Sequence, residues 1–208
     1  MIGPMTELDA INQMLAAIGE APVNSVGTGL SESRLAQLQL ERTSREVQSV
    51  GWYFNTENYK LSPNNKSECQ LPRNCLKLDS QNTHYVQRGG VLYDRLRQTT
   101  KFNSPVWVTV VLGLEWLNLP ETAKRYIVIK AGRKFQADFI GSPTLNQFHA
   151  QDEAEAHFAL KQEELEAGNY NLFNNPEVAS DLRRSSSKEA GSGSTLGYTY
   201  EQLLGGYD

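Results

Sequence analysis

The sequence predicts an α+β fold: a four-helix region, with two N-terminal and two C-terminal helices, an inserted small antiparallel β region, and an extended C-terminal tail. Three observations predict it. Apolar residues recur at helical spacing up to Gly51 and again after Pro120. Between them lie short runs of strand formers separated by turn signals. After Pro176 the composition shifts to serine and glycine. The expected organisation is a helical domain from residues 1–51 and 120–170, a β-rich insertion at 52–119, and a flexible tail at 171–208.

Thr6 precedes the first helix as an N-cap, with Asp9 in the capping-box place. Leu8, Ile11, Leu15 and Ile18 follow at helical spacing, and Gly19 and Pro22 end the run. A loop with Gly27 and Gly29 leads to Ser31, which can cap a second helix reaching Gly51. Its expected inner residues, Leu35, Leu38, Val47 and Val50, form a narrow stripe interrupted by Arg42 and Arg45.

Trp52–Phe54 and Tyr59–Leu61 are rich in strand formers, Pro63–Asn65 signals a turn, and Cys75–Leu78 is a short strand candidate. The clearest local signal is a hairpin: Tyr85–Arg88 and Val91–Asp94 flank Gly89-Gly90, and a two-residue turn with positive φ favours glycine twice. Pro105–Val111 is apolar on both faces and is therefore expected to be a central strand.

Pro120 and Glu121 suit the start of a third helix, whose Tyr126, Ile127, Val128, Ala131, Phe135 and Phe139 form a broad inner face up to Gly141-Ser142-Pro143. A fourth helix is expected from Thr144 to Ala167, with Leu145, Phe148, Ala156 and Leu160 inside and Gly168 closing it. Beyond it, Ser185–Ser187 and Gly191–Ser194 read as linker. Tyr198, Tyr200, Leu203, Leu204 and Tyr207 are candidate tail-docking residues, with a frayed terminus as the alternative.

With 208 residues, 39% of them hydrophobic and 21% charged, the chain can bury a core without disulfides or metals. Cys69 and Cys75 do not make a disulfide framework or a zinc set, and are expected to be free thiols. No apolar run has the length of a membrane span, so no membrane insertion is expected. The start lacks the regions of a signal peptide, so the chain is expected to stay where it is made, with Met5 a possible natural start.

The net charge is −4, which favours neither nucleic acid nor membrane as a general partner. Its distribution says more. Residues 1–72 carry −3, residues 73–134 carry +7, and residues 135–208 carry −8. Such a split suits subunits packed head to tail, or neutralisation inside one monomer. The sequence leaves both open.

A search for chemistry finds no nucleophile elbow, P-loop, Rossmann or metalloprotease motif. His149, Glu153 and His157 share a helix face, but each turn rises about 5.4 Å, too far for three ligands on one straight helix to surround an ion. A solvated face is the expectation there, and no cofactor is implied. The pairs Glu153/Glu155 and Glu163/Glu164, and Glu115 before Trp116, show no arrangement for glycan hydrolysis, which scattered acids alone do not exclude. Arg88, Arg95, Arg97 and Lys101 decorate the hairpin with Gly89 and Gly90, and are candidates for a subunit interface or a DNA channel.

Five segments carry a family resemblance. They are Ala17–Val23 (Ile-Gly-Glu-Ala-Pro-Val at its heart), Gly51-Trp52-Tyr53-Phe54-Asn55, Arg88-Gly89-Gly90 with Tyr93-Asp94-Arg95, Lys130–Phe135 continued by Phe139–Pro143, and Gly168–Asn171. Together and in this order, the chain resembles the tail tubular protein A family, head-to-tail adaptor ring proteins of short-tailed, podovirus-type bacteriophages. The resemblance implies a structural virion protein: a homo-oligomer forming a dodecameric ring in the tail, assembled in the host bacterial cytoplasm. It implies the portal protein, the nozzle (tail tubular protein B) and tail fibres as partners, with viral DNA passing non-specifically through the channel. Net negative subunits would let DNA slide through such a channel. The other function weighed is a tail-associated hydrolase acting on host cell-envelope polysaccharide. The tail after residue 176 matches least.

Overall fold

The computed structural model describes residues 3–25, 31–79, 84–141 and 143–174, with the side chains of 31, 143–148 and 169–174 left aside. Met1–Leu165 form one compact unit and Glu166–Asp208 a second, of which the helix up to Asn174 is described. The architecture is α+β, with helices α1 (Glu7–Ala17), α2 (Ser31–Gln48), α3 (Glu121–Phe139) and α4 (Pro143–Asn174) bracketing five strands. The strands are β1 (Thr56–Leu61), β2 (Cys75–Asp79), β3 (Tyr85–Arg88), β4 (Val91–Asp94) and β5 (Val106–Leu112).

α1 starts on the expected capping box. Asp9 N–H donates to Thr6 Oγ1 (3.1 Å) and Thr6 N–H donates back to Asp9 Oδ2 (3.0 Å), which satisfies two donors that the first turn leaves over. α3 is buried on most of its circumference, through Ala123, Tyr126, Ile127, Val128, Ala131 and Phe135, and is the central element of the helical core. Phe139, expected inside, is 45% exposed because it lies on the last turn.

Two other helices differ from expectation. The buried face of α2 is Ser33, Ala36, Leu40, Thr43 and Val47, while Leu35, Leu38 and Val50 point outward. Small side chains let α2 lie close to its neighbours, and Gln39 Nε2 satisfies the buried Thr43 hydroxyl (3.2 Å). α4 begins on Pro143 and runs through Gly168 instead of stopping there, so Gly168–Asn171 lies within the helix. One interior glycine costs only about 1 kcal/mol. Ala156 and Leu160 are buried as expected, while Leu145, Phe148, the Gly27–Gly29 loop and everything after Asn174 lie outside the described residues and side chains.

The strands form a three-stranded sheet of order β1-β5-β2 and the hairpin β3-β4, all pairs antiparallel. β5 is central, as its apolar content requires. Its two faces are covered unequally, however: Val108, Val110 and Leu112 face a second core with Leu61, Leu71, Leu92 and Phe102, whereas on the other face Val111 is buried and Trp107 is 66% exposed. Lys60 on β1 reaches over the Trp107 ring, 5.8 Å from its centroid. Trp52–Phe54 forms a turn instead of a strand, closed by the Asn55 N–H on Trp52 O (3.1 Å).

That turn joins the helices to the sheet. Gly51 has φ +90°, and a Cβ there would stand 3.0 Å from Val111 Cγ2, so glycine is required for both conformation and space. The Trp52 indole donates to Val47 O (2.8 Å). Asn55, fully buried, donates from Nδ2 to Gln48 O (2.9 Å) and Leu112 O (2.8 Å), and its Oδ1 accepts the Trp52 N–H (2.8 Å). Asn55→Ala strands three buried backbone groups and should lower unfolding free energy by about 3 kcal/mol. Asn58→Ala, at an exposed position on β1, should cost less than about 1 kcal/mol. Urea unfolding midpoints of the two variants check the contrast.

Candidate assembly surfaces

The hairpin register is Tyr85↔Asp94 through Arg88↔Val91, and Gly89 (φ +60°) and Gly90 (φ +79°) make the two-residue turn. Leu92 is fully buried beneath it, and its N–H donates to Cys69 O (2.9 Å). The candidate residues therefore do not form one cluster. Arg88, Gly89 and Gly90 sit at the turn end, where the Arg88 guanidinium stacks on Tyr93, 3.8 Å from the ring centroid. Arg95 and Arg97 sit at the opposite end, about 10 Å away along four residues of strand. Lys101 follows on the return segment, bridged to Glu68 across the backbone.

The loop at that far end is tightly built. Asp94 is buried, and its Oδ1 accepts the N–H groups of Leu96 (2.8 Å) and Arg97 (3.1 Å). Asp94 and Thr99 exchange backbone hydrogen bonds at 2.9 and 3.2 Å, and Arg95 N–H donates to His84 O (2.8 Å). Leu96 is left 70% exposed between two arginines. A second surface is a groove of about 720 Å³ between α2, the 73–76 turn and the 113–117 loop, floored by Leu40, Leu76 and Leu114 and edged by Glu115 and Arg73.

The charge split is settled in part inside the fold. Glu46 on α2 holds both Lys134 (2.5 Å) and Lys130 (3.1 Å) of α3, and Arg133 pairs with Glu153 of α4 (2.5 Å). Of the acids raised as possible catalysts, Glu153 is engaged in this way, and Glu163 and Glu164 are engaged by hydrogen bonds. Glu163 accepts from the Tyr53 and Thr122 hydroxyls, and Glu164 accepts the Tyr53 backbone N–H (2.7 Å). Desolvation first, then Glu163, pushes the Tyr53 phenol upward, so it stays protonated. These contacts lock α4 against the turn, and nothing in the residues' local sequence pattern announced them. Asp9, Glu46 and Glu121 are carboxyls held below their usual range, each chiefly by a side-chain hydrogen bond, from Thr6, Lys134 and Lys124 respectively. A general acid at neutral pH would need the opposite.

The His149–Glu153–His157 face is not simply solvated. His157 stacks on Tyr126 (centroids 4.9 Å apart) and meets Trp52 edge-on (6.3 Å). Among the described residues no group of three or more His, Cys, Asp or Glu is placed to hold a metal, and no described helix is long and apolar enough to cross a membrane. Cys69 and Cys75 are free, and burial pushes both thiols up. Tyr198, Tyr200, Leu203, Leu204 and Tyr207 lie outside the described residues.

Residues 8–170 match the tail tubular protein family from end to end of the helical and β regions. The chain belongs to the tail tubular protein family. It is also 35% identical, over 125 residues, to the tail tubular protein A of Klebsiella phage KP34, an alignment covering 59% of this chain and 67% of that relative. A tail tubular protein is a structural component of the phage virion tail, so its working parts are surfaces. The Gly51–Asn55 and Arg88–Arg95 segments lie inside the matched region and prove to be the α-to-β junction and the hairpin.

Two titrations should mark stability against pH. Glu46 is lowered from 4.5, so the stability it contributes is present above 4.5 and lost as pH falls through its lower folded value. Burial, then Lys161 and Lys130, hold His157 below 6.5 against the pull of Glu153. The unfolded chain therefore binds that proton first, and stability falls as pH drops below 6.5. Both groups are partly exposed, so each limb should amount to less than about 1 kcal/mol. Urea titrations across pH should show Glu46→Gln flattening the acid limb and His157→Gln the upper one.

Proposed function

We propose that this tail protein assembles into a ring that adapts the capsid portal to the tail nozzle and leaves a channel for DNA. The observation that carries this reading is net charge of opposite sign on separate elements of a structural tail protein. Residues 52–119 carry 8 basic and 5 acidic groups, whereas α4 carries 6 acidic and 1 basic. Complementary patches at different places on one surface join head to tail, and head-to-tail contacts close into rings when the rotation per subunit allows.

On this reading the ring has twelve copies, forms in the host bacterial cytoplasm, and also helps anchor tail fibres. Residues 1–51 and 120–170 are its helical domain, 52–119 a β-rich insertion, and 171–208 a tail whose Tyr198, Tyr200, Leu203, Leu204 and Tyr207 dock on a neighbour. The Arg88 turn and the Arg95–Lys101 loop, at opposite ends of one hairpin, are separate candidates for channel wall and subunit contact. The engaged state of Glu153, Glu163 and Glu164 favours no hydrolase reading.

Purified protein should form rings, alone or with portal or nozzle protein, in negative-stain images and mass photometry. A strictly monomeric particle under all these conditions would sink the ring. Removing residues 176–208 should leave the fold intact and weaken assembly, read as a higher concentration for half-assembly with unchanged circular dichroism. Equal assembly without them would dismiss the docking tail.

A further inference from the structure

Two helices carry an unburied stripe, and the two stripes match. On α2, the side opposite the buried Ala36, Leu40 and Val47 holds Leu35, Leu38, Arg42 and Arg45. Ser49 continues it just past the helix end, its N–H still donating to Arg45 O (3.0 Å). At about 100° per residue these five fall within about 80° of the helix circumference. Leu35 is 46% and Leu38 38% exposed. Arg42 and Arg45 are exposed and in no ion pair among the described residues.

α4 carries the counterpart. Opposite its buried Ala156 and Leu160 stand Gln151, Glu155, Phe158, Gln162 and Leu165, again within about 80°. Phe158 is 64% and Leu165 65% exposed. Glu155 accepts from Gln151 Nε2 (3.4 Å) and is in no ion pair among the described residues. On both helices the stripe steps by three and four residues in alternation. That is the seam of a two-helix coiled coil, in which each residue enters a gap between residues of the facing helix.

Laid antiparallel, the stripes meet in one register along their whole length. Leu35 falls against Leu165, Leu38 against Gln162, Arg42 against Phe158, Arg45 against Glu155 and Ser49 against Gln151. Apolar thus meets apolar at one end, a guanidinium lies on an aromatic ring in the middle, and opposite charges meet next to it. Lys161 stands about 40° outside the α4 stripe, and Glu41 about 40° outside the α2 stripe on the same side of the pair, close to level with it. With the helices parallel and Leu38 on Phe158, Arg45 would fall against Leu165 and Leu35 against Glu155. Only the antiparallel register sorts charge with charge.

We propose that the α2 stripe of one copy packs antiparallel on the α4 stripe of the next copy, in this register. The occupant is a second copy because each stripe finds its complement on the other helix of the same chain and not on its own kind. Two α2 stripes overlaid would set both leucines against arginines, and two α4 stripes would set Glu155 against Leu165. The contact is heterologous, each copy offering α2 to one neighbour and α4 to the other. It rests on the ring reading above and supplies that ring with a contact.

The test uses the full chain, each variant checked for an unchanged circular dichroism spectrum. Arg45→Glu alone and Glu155→Arg alone should each raise the concentration for half-assembly at least about tenfold, because like charges then meet at one level. Both changes in one chain should restore it. On mild oxidation, Leu35→Cys protein co-assembled with Leu165→Cys protein should give a disulfide-linked dimer that neither gives alone. Assembly untouched by either reversal, a double variant that stays dispersed, or a mixture without the cross-link would overturn the contact and leave the ring reading standing. Leu35→Cys protein that cross-links to itself would set α2 against α2 and overturn it as well. So would reversals that keep the ring but lose portal or nozzle, since the stripe then faces that partner. Wild-type protein that fails to assemble with portal or nozzle overturns the ring reading, and this contact with it.

Discussion

The described structure depends on two buried amides, Gln48 at the end of α2 and Asn55 at the start of β1. An amide side chain both donates and accepts, so each can tie two backbone segments at once. Gln48 Oε1 accepts the Leu114 N–H (2.7 Å), while its Nε2 donates to Leu114 O (3.1 Å) and Ser44 Oγ (2.9 Å). Asn55 spans Gln48, Trp52 and Leu112 in the same way. Chain leaving β5, far away in sequence, is thus held to the end of α2 by side chains that do the work of a missing strand. Burying such groups is unfavourable unless every one is paired, so only one geometry of the junction is stable.

The consequence reaches both cores. One gathers α1, α2, α3 and the inner face of α4, and the other lies between the sheet and the hairpin, with Leu114 packed against both. The Tyr53 contacts to Glu163 and Glu164 add a second tie, from the junction turn to α4. On the proposed ring reading, a subunit needs a fixed angle between the surfaces it offers its two neighbours, because that angle sets whether the ring closes. A junction made of directional hydrogen bonds fixes an angle; apolar packing alone, which is non-directional, would tolerate several.

The sequence carried some of this well and some of it not at all. The capping box, the Gly89-Gly90 hairpin and the central place of β5 were legible because each depends on local chemistry: a side chain that reaches its own helix start, a turn that needs positive φ, a run too apolar for an edge. The inner face of α2 was misread because Ser33, Ala36 and Thr43 count as weakly apolar or polar, yet smallness is what close helix packing selects. Trp107 was misplaced since apolarity tells that a face can be buried and not whether another layer covers it. The Glu163–Tyr53 contact joins residues 110 apart in sequence, and no local pattern reports such a pair. The six basic-hairpin candidates were legible as one stretch of sequence, but a hairpin sends its turn and its open end in opposite directions.

The charge pattern then gains a sharper meaning. Ion pairs within the fold use up Lys130, Arg133, Lys134, Glu46 and Glu153, so the +7 and −8 blocks overstate what reaches a partner. Among the charges that remain exposed are Arg95 and Arg97, on either side of the exposed Leu96 in the β region, and Asp152 and Glu155 on α4. The Arg95–Arg97 tip is not complementary to itself. A two-fold dimer through the tips would set Arg95 and Arg97 against their own copies, so like charges disfavour that isologous arrangement. A contact that matches the basic tip with an acidic surface joins unlike faces, and on the proposed ring reading its repetition carries the chain around an axis.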